Sequence, residues 1–154
     1  MSPKLRAGAR ALAARSGLRR SPCPIANALD LVGDKWSLLV IRDLLAGRRT
    51  FGELLASPEG IPTNILADRL RRFEAAGLVE SALYQERPAR YAYALTSKGE
   101  ALRDVLDAFT KWGKHVLPGT KTLDELGLGA AISRGRRRSR RGSRASLRRA
   151  ARTG

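Results

Sequence analysis

Asn64, Arg71 and Arg72 recur within the stretch TNILADRLRRFEAAG, Thr63 to Gly77. Asparagine pairs bidentately with adenine and arginine with guanine, so these types at helical spacing suit the reading of base edges. At 100° per residue, Asn64, Asp68, Arg71 and Ala75 fall on one face, flanked by Ala67 and Arg72. Thr63 stands at the helix start, the part of such a helix that touches bases. Asn64 and Arg71 are the leading base-reading candidates, and Thr63 suits a phosphate or a thymine methyl. Asp68 has the wrong sign for a phosphate and is expected to pair with Arg71 or Arg72. Leu66, Leu70, Phe73 and Gly77 fall on the other face and are expected to pack on a core. A polar face alone is also what plain solvated surface looks like. Its sequence context decides.

Gly77 stops this helix. Leu78–Glu86 and Arg90–Leu95 then read as two strands joined through Arg87-Pro88-Ala89. A helix followed by a two-stranded ribbon is the arrangement of a winged helix-turn-helix. Arg87 and Arg90 flank the ribbon tip, where arginine suits a narrow minor groove. A hairpin with charged ends for solubility is the alternative. Tyr84, Tyr91 and Tyr93 read as strand-packing residues.

Upstream, Ile25–Val32 reads as a short helix with Ile25, Leu29 and Val32 on one face. Lys35–Gly47 reads as the central core helix, apolar except at Lys35, Arg42 and Asp43. Arg48–Thr50 suits a short strand. Phe51–Gly60 reads as a helix broken at Ser57-Pro58, and Pro62 opens the base-reading helix. Downstream, Thr96 caps a long helix from Ser97 to about Val116, stopped by Pro118-Gly119. Leu102, Val105, Leu106, Phe109, Trp112 and Val116 form its apolar stripe. The stretch LDELGLG suits a short helical turn. The fold class expected is α+β, mainly α.

The 154 residues carry 30 Lys and Arg against 14 Asp and Glu, a net charge of +16. All 14 acids lie between Asp30 and Glu125, and residues 22–132 hold 14 basic residues, so that segment is neutral. The excess sits in the ends, with 6 basic residues over 1–21 and 10 over 133–154. The domain reading is therefore an arm over 1–21, a folded domain over 22–117, a linker over 118–132 and an Arg/Ser-rich tail over 133–154. Both ends are expected to be disordered. The tail could add salt-sensitive non-specific affinity for DNA, bind RNA, or serve nothing.

One cysteine, Cys23, and one histidine, His115, leave too few ligands for a structural zinc site. Neither metal nor cofactor is expected. No nucleophile motif and no phosphate-binding glycine loop occurs, so an enzyme is not expected. No apolar run approaches the roughly 20 residues of a membrane span. The N-terminus lacks the apolar stretch of a secretory signal, and a bacterial cytoplasmic setting is expected.

Several motifs together carry a resemblance. They are Cys23-Pro24, Gly33-Asp34-Lys35-Trp36, Phe51-Gly52-Glu53-Leu54 and Gly60-Ile61-Pro62-Thr63-Asn64. Gly77-Leu78-Val79 and Tyr91-Ala92-Tyr93-Ala94-Leu95-Thr96 follow, then Gly99 and Leu102. Over about residues 22–117 the chain resembles the HxlR-type bacterial transcription regulators, relatives of the MarR group. It departs from their pattern at Pro62, where Ser or Thr is commoner, and at Glu80-Ser81, where a basic residue is common.

The resemblance implies a winged helix-turn-helix regulator that works as a homodimer. The interface implied is the first helix (Ile25, Leu29) with the last (Leu102, Val105, Leu106, Phe109, Trp112, Val116). Two-fold symmetry then implies double-stranded DNA with an approximately palindromic operator, half-sites roughly 34–36 Å apart. Some such regulators sense oxidants or electrophiles through an N-terminal cysteine, which here is Cys23. A helix start and Arg19 and Arg20 place positive potential near that sulfur, the setting of reactive thiols. An unreactive cysteine near the interface is the alternative. Trp36 reads as core or interface. Lys35, Arg48 and Arg49 are weaker phosphate candidates. No effector is identifiable. The competing reading is a non-specific DNA-compacting or RNA-binding protein driven by its basic ends.

Overall fold

The computed structural model describes residues 21–127. The arm, but for Ser21, and the basic tail lie outside the described residues. Element order is α1 (Pro24–Val32), α2 (Ser37–Leu45), α3 (Phe51–Leu55), α4 (Thr63–Ala75), β1 (Val79–Glu86), β2 (Ala89–Leu95), α5 (Ser97–Glu100) and α6 (Arg103–Val116). This is a winged helix-turn-helix fold: helices around one core, with a two-stranded antiparallel sheet. Among the described residues, no helix is long and apolar enough to cross a membrane.

The expected central helix is central. Val40, Ile41, Leu44 and Leu45 of α2 pack with Leu54, Ile61, Leu66, Leu70, Phe73, Leu78 and Val79 in one buried cluster. Its start is later than the sequence suggests, at Ser37 rather than Lys35. The Asp34 carboxylate fixes that start by accepting from the Trp36 and Ser37 N–H groups at 2.9 and 3.1 Å. Trp36 packs on the core's edge, and the Lys35 ammonium lies 4.9 Å from its ring centre.

Arg42 and Asp43, the two charges within α2, are drawn inward: Asp43 is only 3 % exposed. The Arg42 guanidinium holds Asp43 Oδ1 at 2.9 Å, grips both oxygens of Glu59 at 2.7 and 2.8 Å and reaches Ser57 Oγ at 3.1 Å. A buried carboxylate is tolerable only with such partners. The cluster ties α2 to the Ser57–Ile61 segment that leads into α4.

Gly47 and Gly77 end α2 and α4 in the same way. Both have positive φ, +97° and +69°, and both sit in a Schellman pattern. Arg48 N donates to Asp43 O and Gly47 N to Leu44 O; Leu78 N donates to Phe73 O and Gly77 N to Glu74 O. α3 begins with a capping box between Thr50 and Glu53 and ends at Leu55, ahead of the Ser57-Pro58 break. The expected strand over Arg48–Thr50 reduces to one bridge, Thr50 to Ala92, backed by Tyr93 N donating to Arg49 O at 2.7 Å.

The hairpin pairs Val79 with Leu95 through Glu86 with Ala89. Its register slips between Leu83 and Gln85, leaving Tyr84 as the extra residue of a bulge. Of the three tyrosines only Tyr93 packs against the core; Tyr84 and Tyr91 are exposed, which corrects the packing reading for those two.

The expected long last helix is two helices. Thr96 caps α5 by accepting from Gly99 N, and the chain then tightens through Ala101–Leu102 before α6. Gly99 explains the break: a Cβ there would lie 2.1 Å from Leu78 O. The first turn presses against the end of α4 and the wing. The chain must then redirect to bring Leu102 and Leu106 onto the core.

Candidate nucleic-acid interface

α4 presents the face its sequence suggests. Leu66, Leu70 and Phe73 are at most 2 % exposed, while Thr63, Asn64, Ala67, Arg71 and Arg72 are exposed. Arg71, its side chain 76 % exposed, pairs with Asp68 at 2.7 Å. An exposed pair of this kind holds weakly, so Arg71 is free to turn to another acceptor.

The helix start is also suited to an anion. Pro62 occupies the N-cap, not the first helical turn, and so offers no side-chain acceptor; the first turn holds no acid. The backbone N–H groups of the first turn are without a side-chain cap, and the helix dipole favours negative charge there.

Two positioning contacts were not legible from the wheel. Arg69 Nε donates to Asp34 Oδ1 at 3.1 Å and Arg69 Nη1 to Asp68 Oδ2 at 2.9 Å. Arg69 thus anchors α4 to the start of α2 and steers Asp68. Partial burial works to raise the Asp34 carboxyl, but the Ser37 hydroxyl, the Trp36 and Ser37 N–H groups and the Arg69 charge outweigh it and hold it below its usual value. The only sequence signal was an acid in the Gly33–Trp36 motif facing an arginine off the polar face. The second contact is a hydrogen bond from Ser81 Oγ to Glu74, which ties β1 to α4. The departure at Ser81 thus has a use: it fixes the wing where a basic residue would reach outward.

Thr96 Oγ1 donates to Gly77 O at 2.6 Å and Lys98 Nζ to Ala76 O at 2.7 Å, so α5 caps the end of α4 with a cation. Arg87 and Arg90 are exposed at the hairpin tip, where Arg87-Pro88 forms the turn. Arg48 is turned inward, donating to Glu53 O at 2.9 Å and lying 3.6 Å from Asp43, which removes it from the phosphate candidates.

Around α1 and α6 the apolar side chains face outward. Ile25 and Leu29 are 70 % and 55 % exposed, Phe109 and Trp112 59 % and 58 %, with Val105 and Val116 also open. Leu102 and Leu106 lie partly buried against the core. Cys23 is exposed at the N-cap of α1.

The clamp before α4 is sensitive to acid. Hydrogen bonds from Arg42 hold the Glu59 carboxyl at about 2, against partial burial, which raises it. Because this value lies below the ordinary 4.5, the stabilisation is complete above that pH and is lost as pH falls toward 2. The Glu59 side chain is 34 % exposed, so screening reduces the effect to on the order of 1 kcal/mol. Urea unfolding at pH 6 and pH 3 is expected to show a larger loss for the wild type than for Glu59→Gln.

A helix with an open polar face and uncapped start, followed by an arginine-tipped hairpin, defines a winged helix-turn-helix of the DNA-binding kind. Residues 31–121 match the HxlR-like helix-turn-helix family, and the chain belongs to it. A Synechocystis HTH-type transcriptional regulator is 42 % identical over 95 residues, covering 62 % of this chain and 70 % of that one. The reduced form of the transcriptional regulator YodB from Bacillus subtilis superposes with TM-score 0.54 at 31 % identity, covering 64 % of this chain and 98 % of that one. The reduced form of the redox regulator HypR gives 0.56 at 28 %, covering 60 % and 92 %. The protein is a transcriptional regulator of the HxlR/MarR type.

Proposed function

We propose that the chain is a homodimeric, sequence-specific DNA-binding regulator that reads an approximately palindromic operator. The observation that carries this reading is the exposed face of α4, where Thr63, Asn64, Ala67, Arg71 and Arg72 stand together above an uncapped helix start. Asn64 and Arg71 contact bases; Arg72 and the α4 N–H groups contact phosphate; Arg87 and Arg90 reach the flanking backbone or minor groove. The outward apolar faces of α1 and α6 pair two protomers. The proposed activity is binding, and in this reading the chain is not an enzyme.

Fluorescence anisotropy of the full chain on DNA from upstream of its own gene, against a scrambled competitor, tests this. Binding that resists the scrambled duplex is expected. Equal competition by both would instead favour charge-driven, non-specific binding. In the same assay Arg87→Ala with Arg90→Ala is expected to weaken both duplexes and to reduce the slope of log K against log salt by about 2 per protomer. An unchanged slope would remove the wing from the interface.

The regulator is further proposed to respond to oxidants through Cys23. The support is its exposure beside Ile25 and Leu29, on the face proposed to meet the partner, and the likeness to a redox regulator. With diamide as the oxidant, two Cys23 thiols lose two electrons and two protons to form one intersubunit disulfide. Non-reducing electrophoresis is expected to show a covalent dimer that Cys23→Ser does not form, together with altered operator affinity only in the wild type. Unchanged operator binding by the oxidised wild type would end this proposal.

A further inference from the structure

Asp68 is an acid on the face of α4 proposed to meet DNA, one turn beyond Asn64 and one turn before Arg71. Its carboxylate is held on both sides. Arg69 Nη1 donates to Asp68 Oδ2 at 2.9 Å, and Arg71 Nη2 donates to Asp68 Oδ1 at 2.7 Å. Arg69 is itself anchored: its side chain is only 14 % exposed, and its Nε donates to Asp34 Oδ1 at 3.1 Å. Asp34 is fixed in turn by the Trp36 and Ser37 N–H groups and the Ser37 hydroxyl. Charges of alternating sign therefore run outward from the start of α2 to the open end of Arg71: Asp34, Arg69, Asp68, Arg71.

An isolated exposed ion pair holds weakly, partly because both side chains must be ordered to form it. Here Arg69 has already ordered Asp68, so only Arg71 loses freedom. A duplex laid on α4 excludes water and strengthens the pair further. Asp68 takes up one of the five N–H donors of the Arg71 guanidinium, so the rest of the fork stays open to guanine O6 and N7. A carboxylate beside the base readers also repels a phosphate brought there by a wrong docking register. Glu74, the other acid of α4, is engaged by Ser81 of the wing and does not share either role.

We propose that Asp68 is a specificity-determining residue: held by Arg69, it aims Arg71 at one guanine in each half-site and makes α4 reject DNA that lacks it. The inference rests on the reading of α4 as the base-contacting helix. It adds a positioning residue whose own charge opposes DNA binding in general.

Competition by operators changed at single base pairs, with the full chain, tests this. Arg71→Ala is expected to erase a preference for guanine at two symmetric positions. Asp68→Asn is expected to reduce that preference at the same positions by about tenfold, while binding the scrambled duplex more tightly than the wild type does. Added to Arg71→Ala, Asp68→Asn should change the preference there by less than about twofold, because it acts through Arg71. Arg69→Gln should also reduce the preference, although it removes a positive charge where Asp68→Asn removes a negative one. A pure charge effect would instead shift affinity in opposite directions in the two variants and leave the preference intact, and that result would overturn the proposal. So would guanine preference retained in Asp68→Asn, or none erased in Arg71→Ala. Should Arg69→Gln fail to fold, the Asp68 and Arg71 variants decide alone. A wild type that cannot tell the operator from the scrambled duplex would defeat the operator reading, and this inference with it.

Discussion

Replacing Phe109 and Trp112 together by glutamine is expected to turn the proposed dimer into a folded monomer and to weaken binding to the proposed operator by at least about a hundredfold. The argument begins with exposure. No residue of α6 is buried within the protomer, yet its apolar stripe is strong, and the two aromatic rings stand 59 % and 58 % open. A contiguous apolar patch of this kind marks an interface. Covering such a ring contributes on the order of 2 kcal/mol, and a two-fold interface holds each ring twice. Allowing for non-additivity, the double substitution is expected to raise the dimer dissociation constant by about a thousandfold or more. Glutamine suits an exposed helix, so the monomer should keep its secondary structure. Sedimentation equilibrium reads the first effect and anisotropy the second. A variant that remains a dimer at low micromolar concentration would move the interface elsewhere.

The same helix shows where sequence reasoning stopped. Its stripe was legible because a 3.6-residue period survives in any amphipathic helix. The split into α5 and α6 was not, since Gly99 looks like any tolerated helix glycine until Leu78 O is found against it. On α2, Arg42 and Asp43 were legible only as the charged breaks in an otherwise apolar helix. Their burial depends on Glu59 and Ser57, seventeen and fifteen residues away from Arg42. Arg69 was overlooked for the same reason: its partner Asp34 lies thirty-five residues upstream. Spacing along one element was readable, as at Leu66, Leu70 and Phe73. Pairings between elements were not, because a single sequence carries no signal for them beyond composition.

α4 allows the two roles of one helix to be separated. Phe73→Ala is expected to cost about 3–5 kcal/mol, since it empties the space of a ring only 2 % exposed at the centre of the core. For a domain of this size that is a drop of roughly 15–30 °C in Tm, a large share of the whole stability. Operator affinity measured well below the new Tm should change little, because the buried ring is not among the residues proposed to meet DNA. Asn64→Ala is expected to do the reverse. Asn64 is exposed in the first turn of α4, so stability should stay within about 0.5 kcal/mol. If Asn64 reads adenine, its loss removes about 1–3 kcal/mol of discrimination at one operator position in each half-site. Competition by operators changed at single base pairs would then reveal two symmetric positions at which the variant no longer prefers its base. Thermal unfolding and competition on the two variants form a crossed test: helix packing moves the first readout and base contact the second. Should Asn64→Ala leave discrimination intact at every position, Asn64 is solvated surface, and Arg71 becomes the residue on which specificity must be tested.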